Sequence, residues 1–152
     1  MAIDFPPDFY IKKTIQEGSV YYYVDEGLNS SDPHYFIVLN SDPLNSPHLV
    51  LVCATSQLVK KLELLEKRGW DKDTLVLIPQ DEYEPLTTYT AINCNSTIQR
   101  PISFVVGKLK SGASVKWKKC PCLPNEILHR VKVGVLTSNE VPQEDQELIS
   151  IE

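Results

Sequence analysis

A histidine and a pair of hydroxyls frame the chemistry this sequence can offer. His34 opens the run His34-Tyr-Phe-Ile-Val-Leu39, and Thr55-Ser56 closes the run Leu49-Val-Leu-Val-Cys-Ala54. An imidazole titrates near neutrality, so His34 is the kind of group that gives and takes a proton at physiological pH. Thr55 and Ser56 donate and accept hydrogen bonds, and a hydroxyl at that point also suits the N-cap of a following helix. Lys116-Trp117-Lys118-Lys119 interleaves cations with an aromatic. That pattern binds single-stranded nucleic acid through phosphate contacts and base stacking. It is equally the pattern of a strand with Trp117 in the core and its lysines in water.

Other chemistries find less support. Cys53, Cys94, Cys120, Cys122 and His129 are metal-ligand types, but structural zinc favours longer separations than the single proline in Cys120-Pro-Cys122. The sequence predicts no metal and no cofactor, with Cys53 and Cys94 as small buried hydrophobes. There is no glycine-rich phosphate loop, no Ser-His-Asp order and no His-Glu-x-x-His. The carboxylates Asp81, Glu82 and Glu84 lie between Pro79 and Pro85, where they read as a solvated turn.

At 152 residues, 42% hydrophobic and 23% charged, the chain has the size and composition of one globular domain. Net charge is −5, which runs against the basic face common in nucleic-acid binders. The charge is uneven: Lys108, Lys110, Lys116, Lys118 and Lys119 form a stretch without acids, whereas Glu140, Glu144, Asp145, Glu147 and Glu152 form one without bases. No apolar run approaches the ~20 residues of a membrane span. The N-terminal residues lack the basic and apolar regions of a signal peptide, so the expected location is cytoplasmic, with reduced thiols.

The elements that must hold these residues are mostly strands. Val20–Val24, Tyr35–Leu39, Leu49–Cys53, Thr74–Ile78, Tyr89–Cys94, Ser103–Leu109 and Ser114–Lys118 are β-rich runs separated by turn residues, with Ser111-Gly112 as a hairpin signal. The unbroken apolar run of the third suggests burial on both faces. After Ser56 the period turns helical, with Leu58, Leu62 and Leu65 on one side and Val59 beside them; Ser56 is the expected N-cap and Gly69 the C′ glycine. A second helix is expected near 124–136, carrying Ile127, Leu128 and Val131. The expected organisation is an N-terminal arm (1–17), a barrel domain (18–138) and an acidic C-terminal tail (139–152). The fold class is mainly β, a small curved antiparallel barrel with two packed helices.

Over roughly residues 18–57 the chain resembles the MazF/PemK-like toxins, SH3-like barrels of type II toxin–antitoxin systems. That family opens on a glycine-led strand, as at Gly18-Ser-Val-Tyr-Tyr-Tyr-Val24. A strand reading Arg-Pro-x-Val-Val-Leu follows, and then an apolar strand ending in Thr-Ser. Here His34 stands at the arginine and Tyr35 at the proline, while Thr55-Ser56 matches directly. The resemblance implies an endoribonuclease in which the RNA's own 2′-OH attacks the adjacent phosphate, leaving a cyclic phosphate and a 5′-OH. It assigns His34, Thr55 and Ser56 to catalysis. The expected RNA-binding residues, from the interleaving of cations with an aromatic, are Lys116, Trp117, Lys118 and Lys119, with Arg100 as the residue that could supply the missing cation. The partners implied are single-stranded RNA, a protein antitoxin and a second copy of the chain, with no membrane. The histidine in place of arginine and the acidic charge support a different reading, a barrel without catalysis that acts as a protein-binding or regulatory module.

Overall fold

Alternation along three strands sorts the apolar residues of this chain onto two faces. In a computed structural model, which describes residues 6–28, 31–111 and 118–151, these are β1 (Val20–Tyr23), β2 (His34–Val38) and β3 (Leu49–Thr55). They join β4 (Leu75–Ile78), β5 (Thr90–Asn93), β6 (Ile98–Arg100) and β7 (Lys118–Cys120) in one antiparallel sheet. Its order is β4-β5-β3-β2-β1-β7, and β6 also pairs with β3. One face carries Tyr21, Tyr23, Phe36, Val38, Leu49 and Leu51, packed against Ile11 of α1 (Pro7–Thr14) and against Val105 and Val106 of α3 (Ile102–Ser111). The other carries Val20, Ile37, Val50 and Val52, packed against Ile127, Leu128, Val131 and Val135 of α4 (Asn125–Thr137).

The antiparallel sheet is as expected, but it is not closed. Among the described residues β4 and β7 remain its two ends and do not pair. The apolar run of β3 is buried on both faces because helices cover both, with one core on each side, rather than because a barrel wraps around it. Five α-helices are present among the described residues rather than two. The largest correction is Ser103–Leu109, expected as a strand and found within α3. Its Ile102, Val105, Val106 and Leu109 have helical spacing and face the core, while Ser103, Gly107 and Lys110 are exposed. Strand-loving valines obscured a 3.6-residue period. Ser111 therefore ends a helix; Gly112 and the expected strand from Ser114 to Trp117 lie outside the described residues.

Among the described residues, the first and last segments both pack on the core. Ile11 and Ile15 are buried, so the expected arm is a packed helix. In the expected tail, Val141, Asp145 and Ile149 are buried around α5 (Gln143–Gln146). Asp145 accepts from His48 Nε2 at 2.8 Å, Gln99 Nε2 at 2.8 Å and Thr97 Oγ1 at 3.1 Å, tying the segment to β6 and the start of β3. No helix among the described residues is long and apolar enough to cross a membrane.

Gly134 shows how closely α4 is seated. A Cβ there would lie 2.7 Å from the Asp73 carbonyl oxygen and 2.8 Å from Cys94 Sγ. The carbonyl is backbone and cannot step aside. Gly134→Ala is expected to destabilise by about 1–3 kcal/mol through overpacking, despite alanine's better helix propensity. Urea unfolding checks this, and an unchanged or raised midpoint would contradict it.

Candidate functional site

His34 begins β2 and Thr55 ends β3, both at the same end of the ladder between these strands. The ladder between these strands pairs Val38 with Leu51, Ile37 with Val52 and Phe36 with Cys53. Two residues further in the same register, His34 stands opposite Thr55 on the same face, beyond the last ladder pair. On its other side Thr55 pairs with Ala91 of β5. His34 is itself the cross-strand partner of Tyr23 in β1. One row across three strands therefore holds a phenol, an imidazole and a hydroxyl.

That row contains two unusual atoms. His34 Nδ1 and Tyr23 Oη are both buried, and neither has a hydrogen-bond partner among the described residues. Each such group costs about 1–3 kcal/mol unpaired, and native folds keep few of them. The Tyr23 ring stacks on Phe36 at 4.5 Å, and the His34 ring meets Phe36 edge-on at 6.4 Å. Burial, aided by the Asp25 carboxylate, raises the Tyr23 phenol far above its usual range, so it serves only as a neutral hydrogen-bonding group. Cys53, beside the row, is pushed up to about 12 by burial, against the pull of the Lys61 ammonium and with a small push from Asp25. A thiol held there is no nucleophile at neutral pH.

The hydroxyl pair divides its work. Thr55 Oγ1 accepts the Gln57 N–H at 3.1 Å, so Thr55 ties down the start of α2 (Leu58–Arg68) and keeps its own O–H free to donate. Ser56 is exposed and is not the N-cap; Gln57 occupies that position. Gly69 ends the helix at φ 66°, as its sequence position suggests.

The cations named from the sequence are placed elsewhere. Arg100 grips Asp25 through two hydrogen bonds, Nε to Oδ2 at 3.0 Å and Nη2 to Oδ1 at 3.1 Å, and lies over the Phe104 ring. Its fork is already filled by a buried carboxylate. Lys119, in β7, lies over the Tyr10 ring at 5.7 Å. Lys118 contributes backbone pairing opposite Tyr22, and Lys116 and Trp117 lie outside the described residues. Sequence reasoning missed Asp25 and Lys61. Asp25 sat among turn residues with no partner visible, and Lys61 was assigned to the solvent side of its helix.

The two shielded thiols yield a pH prediction. Cys94, wholly buried, is also pushed up to about 12 by burial alone. Free thiols ionise near 8.5. Above about pH 9 the unfolded chain sheds protons that the folded chain keeps, so stability falls as pH rises; below pH 8 this source contributes no slope. Each thiol adds up to about 1.4 kcal/mol per pH unit to the decline. Urea unfolding of wild type and Cys94→Ala between pH 7 and 11 should show the smaller slope in the variant, and parallel curves would contradict the assignment.

No protein-family model matches this chain, and no curated protein matches it in sequence.

Proposed function

We propose that this protein is an endoribonuclease of the MazF/PemK-like kind, built on an opened form of that family's curved SH3-like sheet. The observation that supports the reading most directly is the row in which His34 and Thr55 share a face at the fork of β2 and β3. In the proposed reaction the 2′-oxygen of the RNA bonds to the adjacent phosphorus and the bond from phosphorus to the 5′-oxygen breaks. A 2′,3′-cyclic phosphate and a 5′-OH result. His34 takes the proton from the 2′-OH or returns one to the leaving oxygen. Thr55 donates its O–H to a phosphoryl oxygen, and Ser56 offers a second donor at the mouth of α2. The same kinship brings a homodimer and a protein antitoxin as partners.

A second reading, a protein-binding module without catalysis, draws on α2, where Val59 is 66% and Leu62 is 41% exposed. One experiment separates them. The purified chain is incubated with single-stranded RNA of mixed sequence and the product ends are mapped. Cyclic phosphate and 5′-OH ends, with growth arrest on expression in bacteria, are expected; intact RNA at every protein concentration would refute the enzymatic reading.

A further inference from the structure

The apolar stripe of α2 does not lie where a leucine count puts it. Leu62 is exposed, and the half-buried positions are Leu58, Lys61, Leu64 and Leu65, spaced as one face of the helix. This is the side that meets β4 and β5. Because α4 already covers Val76, Ile78 and Ile92, α2 reaches those strands from the face that carries Thr55 and Cys53. A lysine thus sits inside the packed stripe, about one turn into α2, on the side of the sheet that carries Cys53.

Among the half-buried and buried lysines, Lys61 differs from Lys108 and Lys132, which hold carboxylates, and from Lys119, which lies over the Tyr10 ring. Lys12 pairs with Asp8, Lys108 with Glu26 and Lys132 with Glu17, and Arg100 is held by Asp25. Lys61 is half-buried and has no carboxylate within ion-pair distance among the described residues. A partly desolvated charge left without a counter-ion is costly, and an arriving anion removes that cost. The same face of the sheet carries Thr55, and the register of β2 on β3 continues toward His34.

We propose that Lys61 is the cation of this site and binds a phosphate of the single-stranded RNA substrate, a role the sequence assigned to Arg100. The inference rests on the endoribonuclease reading for its substrate. Lys61 sits one helical turn along α2 and grips the phosphate as a point charge. Arg100 keeps its structural partner Asp25. A lysine on α2 beside a histidine on β2 divides between two residues the duties of one arginine, charge going to the first and proton transfer to the second.

The test measures binding of a non-cleavable 2′-O-methyl oligonucleotide across a salt series, together with cleavage of the matching RNA. Lys61→Gln is expected to weaken binding at least about 10-fold at low salt and to reduce the salt slope by about 0.7, the value of one phosphate contact on a single strand. Lys61→Arg should restore both, and Lys60→Gln, an exposed neighbour, should change neither. A slope unchanged in Lys61→Gln, while cleavage still depends on His34, overturns the assignment and leaves the enzymatic reading standing. Lost affinity at an unchanged slope also overturns it, since that marks a structural role. A reduced slope in a protein that cuts no RNA supports the phosphate contact and refutes the enzymatic reading alone.

Discussion

His34→Ala is expected to slow RNA cleavage by at least about 100-fold, the usual loss when a positioned acid or base is removed. Thermal unfolding should move little, by the equivalent of about 1 kcal/mol or less. The two halves of this expectation have separate causes. In the row of Tyr23, His34 and Thr55, the imidazole is the side chain proposed to move the proton, and burial holds the Tyr23 phenol neutral. Its ring packs edge-on to Phe36, but its Nδ1 is buried without a partner. Deleting the ring gives up some apolar contact and also removes an unsatisfied polar atom, and these offset. Cleavage at the wild-type rate would sink the catalytic role. A collapse of stability with the same loss of activity would assign His34 to the architecture instead.

Asp145→Ala is expected to destabilise the protein by about 3 kcal/mol, since each buried donor left without its acceptor costs about 1–3 kcal/mol. Asp145 is 1% exposed and accepts hydrogen bonds from His48, Thr97 and Gln99. Alanine removes the shared acceptor of all three, although Gln99 keeps its hydrogen bond to Glu144 at 3.1 Å. The loss should persist at high salt, because the cluster is shielded from solvent ions. Asp145→Asn, which keeps the shape and part of the hydrogen bonding, should lose less. Urea unfolding at low and high salt measures both, and a midpoint within experimental error of wild type would show that the C-terminal segment is dispensable.

The elements were legible where one signal dominated. β1 to β3 carry dense Val, Ile and Tyr between turn residues, and α2 and α4 carry clear helical spacing, with Gly69 marking the end of α2. α3 was hidden because its residues favour strands one by one and a helix only in their spacing. β6, Ile98–Arg100, is three residues long and exists because Leu49–Leu51 offers it an edge, a tertiary cause that no local window contains. The chain ends misled for a related reason. Pro6 and Pro7 read as breakers, yet proline is well placed at a helix start, and the acids of 140–152 masked the apolar Val141 and Ile149 that dock the segment. Within the site, the antiparallel pairing of β2 with β3 was legible, because sequential strands usually neighbour one another, and it sets the start of β2 and the end of β3 at one end of the ladder. Arg100's capture by Asp25 was not, since the two are far apart in sequence and meet only through the fold.

The pairing of β1 has a kinetic consequence. Val20 bonds across to Ile37 on one side and to Cys120 on the other, so a strand made early waits for one made a hundred residues later. Until β7 and then Asp145 are synthesised, one edge of β1 and the donors of His48, Thr97 and Gln99 stay unmet. Contacts of such long sequence separation place the chain among the slower-folding single domains. During translation the nascent sheet carries an open edge beside tyrosines and valines, a state in which partner strands or chaperones compete with its own missing neighbour. The α3 face can close once α3 has been made, whereas the opposite core waits for α4 and the C-terminal segment.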